Sequence, residues 1–421
     1  MTSERLVLPA LQMDLFAGVS AVYGGTDREL SNDELYARVG SAAGIDASAW
    51  DHTTSVGKTG APHKVLRRKV RWYQQTMKGL GLLEHGSERG RWRLTPLGKK
   101  KLTSAPPRRV LLGFSTELGL ALWSSCEDVF KTLGEPISLC LTSPPYPLAV
   151  PRAYGNPTAA HYVDWMCSLL EPIVRQLMPG GSIALNISND IFEPRSPARS
   201  LYRERLAIAL HDRLELHKMD ELIWKNDSKA PGPLRYASLD RTQLNVNWEP
   251  VLWFTNNPAL VRSNNRRVLQ EHNERHLKLM AAGGEQRVAA FGDGANRIRK
   301  GSYGTVTAGK IPRNVLSYGH KCIDQRPARD FAHRQGIAEH GAAMPLSLAR
   351  FLVEFLTEPG DLIVDPFAGW FTTAKAAEIT GRRWLGTEQV GEYILGGAQR
   401  FLDCDGFELC GSTINTFESR P

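Results

Sequence analysis

Nowhere in these 421 residues do apolar side chains run for the roughly eighteen consecutive positions that a bilayer-spanning helix requires. The opening stretch, MTSERLVLPALQMDLF, carries Asp14 and lacks a long uninterrupted apolar core, so a secretory leader is not expected. Cysteine is sparse: Cys126, Cys140, Cys167, Cys322, Cys404 and Cys410 are scattered, and no pair has CxxC spacing. That pattern argues against a zinc site or a disulfide framework and for reduced thiols in a cytoplasmic protein, so no metal is expected. No internal repeat or low-complexity tract stands out, which argues against a solenoid or a disordered scaffold. What is present is ordinary for a folded protein, 42% hydrophobic and 23% charged residues, in a chain long enough for two or three domains. A net charge of +8 favours an acidic partner, nucleic acid first.

Residues 1–105 read as a small unit. LPALQMDLFAGVSAVY has helical apolar spacing and ends at Gly24-Gly25. Ser31 followed by Glu34 is a capping-box signature for a second helix. APHKVLRRKVRWYQQTMKGLGLL reads as a third helix with Val65, Val70, Tyr73 and Met77 near one face, and LLEHGSERGRWRLT as two short strands around a turn. Three helices and a hairpin make a winged-helix-like pattern. The third helix carries Lys64, Arg67, Arg68, Lys69 and Arg71, and the hairpin repeats the charge at Arg89, Arg91 and Arg93. Lys64, Arg67, Arg68 and Arg71 are therefore candidate contacts to DNA phosphates. The competing reading is a solvated basic helix in a protein-interaction module. TSAPPRR, residues 103–109, has linker composition.

From about residue 110 strand-like and helix-like segments alternate, the mark of a mostly parallel sheet. PISLCLTS, GSIALNIS and DLIVDPF are strand-like; HYVDWMCSLLEPIVRQLM and LSLARFLVEFLTE are amphipathic helices. Residues 256–310 lack sustained periodicity and read as a recognition insert or a mobile loop set. Two stretches carry chemistry. ISLCLTSPPYPL runs an apolar strand into two prolines, which end regular structure, flanked by a hydroxyl and an aromatic ring. DLIVDPFAGWFTTAKAAEITGRRWLGTE is a strand, a turn at Ala368-Gly369, a helix closed by Gly381 and a second strand ending in Glu388. Nucleotide-type folds use such a unit: the small turn residue admits the ligand, the helix start offers amide donors, and the later acid holds ribose hydroxyls.

SPPY at 143–146 and DPFAGWFTT at 365–373 together resemble the DNA amino-methyltransferases that use S-adenosylmethionine, whose hallmarks are a (D/N/S)PP(Y/F) tetrad and a DPFxGSGTT loop. The tetrad precedes the loop, which resembles the permuted β-class order, and MPGGSIALNIS, DELIWKN, NWEPVLWFTN and IPRNVL fall in sequence between them. The resemblance covers roughly residues 135–400. It implies an α/β fold, a Rossmann-like methyltransferase sheet with flanking helices. The catalytic domain is then expected over 110–255 and 311–405, a target-recognition region over 256–310, and a tail over 406–421.

It implies Ser143, Pro144, Pro145 and Tyr146 as the catalytic residues, with the Ser143 hydroxyl and Pro144 carbonyl accepting from the amine of a flipped base and Tyr146 offering a ring to stack on. Thr142, Asp365, Phe367, Ala368, Gly369, Thr372 and Glu388 are the implied cofactor residues, with His340 and Pro345 in the remaining cofactor wall. Arg266, Arg267, Arg297, Arg299 and Lys300 are candidate DNA contacts of the recognition region, while Trp248 and Glu249 either line the base pocket or end a strand. Ser in the first tetrad position implies cytosine N4 as the methyl acceptor, with adenine N6 the alternative. The implied partner is double-stranded DNA, with any cognate restriction endonuclease acting separately. One departure is local: Trp370-Phe371 replaces the family's Ser-Gly, setting two large rings where the cofactor's methionine part is expected. A DNA-binding protein with an impaired methyltransferase domain is the reading this departure raises. Methylation of RNA or of a protein glutamine is disfavoured by the motif order.

Overall fold

The computed structural model describes residues 110–147, 159–319, 322–335 and 343–409, together with His340. In the N-terminal unit it describes residues 30–42, 47–56, 61–64 and 83–95 and a scatter of positions between Val19 and Lys78. The helix expected before Gly24 and the linker at 103–109 lie largely or wholly outside the described residues.

The N-terminal unit is built on a three-stranded sheet, order β1-β5-β4, of Leu30–Ser31, Arg91–Leu94 and Leu83–His85. The capping box is formed: the Glu34 amide donates to Ser31 Oγ at 3.2 Å and the Ser31 amide donates to Glu34 Oε2 at 2.8 Å, opening the helix Asn32–Ala42. A short strand before this helix, paired with the distal strand of a C-terminal hairpin, is the arrangement of a winged helix. The third helix starts later than the sequence suggests. Ala61–Lys64 is a strand, β3, paired antiparallel with β2, Thr53–Val56. Pro62 disfavours helical geometry before it and lacks an amide to continue one, so helical residues are described only from Leu66.

From residue 111 onward the chain builds one ten-stranded sheet in the order β14-β10-β11-β9-β8-β15-β16-β7-β6-β17. In chain order its strands are β6 Leu111–Ser115, β7 Gly119–Trp123, β8 Ile137–Thr142, β9 Leu177–Asn186, β10 His217–Lys225, β11 Trp248–Thr255, β14 Val315–Ser317, β15 Leu362–Asp365, β16 Arg383–Glu388 and β17 Glu408–Leu409. The centre, β9-β8-β15-β16-β7, is parallel. Towards the edges β11, β10, β6 and β17 run antiparallel to a neighbour while β14 pairs parallel with β10, so the sheet is mixed around a parallel centre. Strand β17 also carries the sheet past residue 405, where a tail was expected to begin.

Every residue of β8 and β15 is buried, as strands covered on both faces require. Leu139 and Leu141 pack with the helix Leu346–Leu356; Cys140 packs with the helices Tyr162–Val174 and Tyr202–Leu214. The chain moves from β8 to β9 on one side and from β15 to β16 on the other, so a topological switch point lies between β8 and β15. Ligands of open α/β sheets bind outside the strand carboxyl ends at such a point. Among the described residues no helix is long and apolar enough to cross a membrane.

The insert at 256–310 is less irregular than expected. It holds the helix Glu274–Ala281 and the hairpin β12–β13, Ala289–Phe291 with Asn296–Ile298. Arg262 clamps Asp361 with bonds of 2.9 and 3.0 Å, which ties the root of the insert to the ten-stranded sheet and its helices.

The two large rings of the DPFAG turn leave the sheet edge for the core. Phe371, fully buried, meets Phe114 edge-on at 5.1 Å between centroids, and Trp370 packs with Ala328, Ala332, Val390 and Tyr393. Glycines on neighbouring elements make the room. A Cβ at Gly386 or Gly397 would come within 2.7 Å of the Phe371 ring, and one at Gly396 within 2.9 Å of Trp370 Nε1. Phe371 itself takes a left-handed φ of 59° at the helix start. The crowding expected from the Ser-Gly replacement is therefore absent at the sheet edge, because the rings are accommodated behind it.

Gly397→Ala lies in the helix Gly391–Ala398, where alanine is intrinsically the better helix former, yet overlap with a rigid buried ring dominates. We expect a net loss of about 1–3 kcal/mol, read as a lower midpoint in urea unfolding. A midpoint at or above the native one would show that Phe371 is not tightly packed.

Candidate active site

Five polar side chains meet at the carboxyl edge of the parallel core. Ser143 follows β8, Asp365 ends β15, Glu388 ends β16, Asn186 ends β9, and Glu249 sits at the start of the antiparallel β11. Hydrogen bonds join the strand ends. The Thr142 hydroxyl donates to Asp365 Oδ1 at 2.6 Å, and the Phe367 amide donates to the same oxygen at 3.0 Å. Ser143 Oγ lies 2.9 Å from the Tyr146 hydroxyl and makes a long 3.5 Å contact with Asn186 Oδ1. The Tyr146 hydroxyl is 3.5 Å from Glu249 Oε2, and Lys229 Nζ binds Glu249 Oε1 at 3.0 Å. A continuous polar line thus runs Ser143, Tyr146, Glu249, Lys229. Burial, with the Glu249 charge adding to it, holds the Tyr146 phenol well above its ordinary value, so it stays protonated and keeps a hydrogen to donate.

The residues expected to face the cofactor centre on two carboxyls, Asp365 and Glu388, neither ion-paired among the described residues. Glu388 accepts from the Gly369 amide through Oε2 and from the Val390 amide through Oε1, both at 2.8 Å. Burial lifts Glu388 from 4.5 to about 7 against these hydrogen bonds, and lifts Asp365 from 3.8 to about 6 against those from Thr142, Thr373 and Phe367. Gly369 has φ +53°, and a Cβ there would fall 2.7 Å from His340 Nε2. Bare backbone at the turn, two unneutralised carboxyls and free lone pairs on Glu388 suit a positively charged sulfonium ligand with ribose hydroxyls to donate.

The expected residues divide. Ser143, Tyr146, Asp365, Phe367, Gly369, Glu388 and His340 come together at this edge, with Phe367 against Trp165 at 5.5 Å between centroids. Thr142 is fully buried beneath Asp365, so its hydroxyl positions that carboxyl instead of reaching a ligand. Thr372 is buried too: its hydroxyl accepts from Arg400 Nη1 at 2.9 Å and faces the core. Pro345 is buried at the cap of the helix Leu346–Leu356. Ala368 is buried under the turn, its amide bonded to the Thr387 carbonyl.

Of the candidate DNA contacts, Arg68, Arg71, Arg266, Arg297, Arg299 and Lys300 are exposed. Lys64 pairs with Asp51 at 2.7 Å, and Arg67 pairs with Asp51 at 3.1 Å and lies over the Tyr36 ring. Arg267 is withdrawn from solvent, bound to Glu358 at 3.3 Å and to the Phe355 carbonyl at 3.1 Å, because it anchors the insert. Sequence reasoning missed Asn186, Lys229 and Arg400. A lone amide ending the buried run GSIALN was a usable signal for Asn186. Lys229 and Arg400, which also pairs with Asp324, carry no local signal.

The raised Glu388 value makes a signed prediction. Folded Glu388 holds a proton between pH 4.5 and about 7 that the unfolded chain has released, so its contribution to stability falls as pH rises through 7. Ribose hydroxyls are donors, so a ribose held at Glu388 would bind the ionised carboxylate. S-adenosylmethionine affinity, measured by calorimetry, should therefore rise from pH 6 to 8, by up to about tenfold per unit below the pKa. Glu388→Gln should weaken binding by roughly 10- to 100-fold and flatten this profile; a flat profile in the native chain would remove Glu388 from the site.

Comparison with known proteins agrees with this geometry. A family model described as DNA methylase matches residues 137–398, and one described as Mrr N-terminal domain matches residues 21–104. Type II methyltransferase M.PvuII of Proteus hauseri is 31% identical over 269 residues, 64% of this chain and 79% of that protein. Type II methyltransferase M.BglII of Bacillus subtilis is 24% identical over 260 residues, 61% of each. The solved structure of PvuII DNA methyltransferase (cytosine-N4-specific) superposes with a TM-score of 0.54 at 27% identity, covering 69% of this chain and 88% of that one. The matched span contains the tetrad, both carboxyls and the strands that bring them together, and the chain belongs to the DNA methylase family.

Proposed function

We propose that this chain transfers a methyl group from S-adenosylmethionine to the exocyclic N4 amine of a cytosine flipped out of duplex DNA. The observation that carries the reading is the 2.6 Å bond between Thr142 and Asp365, which couples the tetrad directly to the carboxyl-rich turn. When bound there, S-adenosylmethionine supplies an electrophilic methyl group on a sulfonium. The solved relative whose name is cytosine-N4-specific supports the base assignment.

An aromatic amine is a weak nucleophile because its lone pair is delocalised into the ring. The base must leave the duplex for the amine to be reached at all. Ser143 Oγ and the Pro144 carbonyl then accept the two amine hydrogens, which draws the nitrogen towards tetrahedral geometry and stabilises the positive charge developing on it. The prolines restrict the backbone that aims this carbonyl. Tyr146, kept neutral, donates to Ser143 or Glu249 and leaves a Ser143 lone pair for the amine. After transfer the amine sheds one proton. Glu249, reached through the Ser143 and Tyr146 hydroxyls, is the carboxylate on the polar line that can take it.

Arg68 and Arg71 of the N-terminal unit and Arg266, Arg297, Arg299 and Lys300 of the insert are assigned to the DNA backbone or to base edges. The same pair of acceptors would serve an adenine amine, which keeps N6 methylation as the second reading.

Incubation with unmethylated DNA and labelled cofactor, followed by nucleoside mass spectrometry, should give N4-methylcytosine; N6-methyladenine would favour the second reading, and no modified base would sink both. Ser143→Ala should lower kcat by about 100-fold or more and Tyr146→Phe by roughly 10- to 100-fold, both with cofactor affinity retained. Full activity in Ser143→Ala would refute the assignment.

A further inference from the structure

Between β10 and β11 the chain makes an excursion over residues 226–247, of which the mechanism uses only Lys229. Its root is closed: the Asn226 amide donates to the Asn247 carbonyl at 2.7 Å and the Val246 amide to the Gly232 carbonyl at 2.8 Å. Its middle is a single π-helical turn, Leu234–Leu239, continued by a Thr242 amide bond to the Tyr236 carbonyl at 2.7 Å. The Tyr236 ring rests on Phe192 at 5.1 Å, and Gln243 Nε2 donates to the Pro197 carbonyl at 3.1 Å, bracing the loop on the segment that follows β9. Such π turns in globular proteins cluster at functional sites.

This braced loop turns three leucines outward: Leu234, Leu239 and Leu244 are 67%, 77% and 86% exposed. One exposed leucine is ordinary; three on one ordered loop mark it as a contact surface. Two features identify the partner. Arg241 stands exposed on the same loop, as does Arg235, whose guanidinium lies 3.5 Å from Asp240 in a solvent-exposed pair that a phosphate can displace. Lys229, near the start of the loop, binds Glu249 and through it reaches Tyr146, so the root of the loop is joined to the residues assigned to the reaction.

We propose that residues 226–247 form a wedge that enters duplex DNA at the target base, its leucines filling the apolar gap left in the stack while Arg235 and Arg241 meet the flanking phosphates. This rests on the methyltransferase reading and adds to it the element that holds the base out. Extruding a base leaves its neighbours unstacked, and an apolar side chain inserted between them offsets that cost. The leucines are already exposed and the loop already ordered in the free protein, so insertion needs no melting of the fold.

The test uses the full chain and a site found by sequencing genomic DNA that it has methylated. Two duplexes carry that site, one with the target base normally paired, the other with the target opposite an abasic position, where no pair has to be broken. The triple variant Leu234→Ala, Leu239→Ala, Leu244→Ala should lose roughly tenfold or more in kcat/KM on the paired duplex and less than about threefold on the abasic one. Its cofactor affinity should match the native chain. Replacing the same leucines with methionine keeps the apolar volume and should restore the native ratio between the two duplexes. Equal losses on both duplexes, or none on either, overturn the wedge while leaving the methyltransferase reading intact. A shift in oligomeric state with equal losses assigns the leucines to a second copy of the chain and also overturns it. A native chain that methylates no genomic DNA sinks the underlying reading and the wedge with it.

Discussion

A single buried hydrogen bond, from the Thr142 hydroxyl to the Asp365 carboxyl, ties together residues 223 positions apart in the chain and sets the distance between the two halves of the site. Thr142 ends the strand that delivers the SPPY tetrad, and Asp365 ends the strand that delivers the DPFAG turn. Because β8 and β15 are parallel neighbours at the switch point, both segments leave the sheet on the same edge. Burial raises Asp365 to about 6, and the bonds from Thr142, Thr373 and Phe367 oppose that rise. Methyl transfer needs two groups aligned closely and gains most from geometry held in advance. A contact between adjacent strand ends is a stiff way to hold it.

The turn that follows Asp365 shows how packing can absorb a departure from a motif. Trp370 and Phe371 replace small residues, yet their rings occupy space left by Gly386, Gly396 and Gly397 on the strand and helix behind. Gly369 remains small at the turn, because a side chain there would strike His340. Arg400 completes the arrangement from within, binding the Thr372 hydroxyl and pairing with Asp324. The support of the turn has become larger and more aromatic while its exposed surface has stayed bare.

Positive charge on this chain falls into two settings that residue type alone does not separate. Arg262, Arg267 and Arg400 are structural, clamping Asp361, Glu358 and Asp324. Arg68, Arg71, Arg266 and Lys300 remain in solvent, where a phosphate can reach them. Arg266 and Arg267 are adjacent in sequence and differ completely in setting, because the Arg267 side chain follows the fold of the insert back onto the helix before β15 and the Arg266 side chain stays in solvent.

Much of the architecture was legible in the sequence because its signals are local. The capping box at Ser31 and Glu34, the buried runs that became β8 and β15, and the amphipathic helices each depend on a few consecutive residues whose periodicity or hydrogen-bonding capacity is their own. The two motifs, and their order, likewise declared the chemistry and its strand-end setting. Tertiary structure alone decided which way each side chain faces: Thr142 and Thr372 inward, Trp370 and Phe371 into the core, Lys229 onto Glu249. Those outcomes rest on close packing and on desolvated hydrogen bonds between segments far apart in the chain. No local pattern encodes them, since the energy of each depends on a partner that only the completed fold supplies.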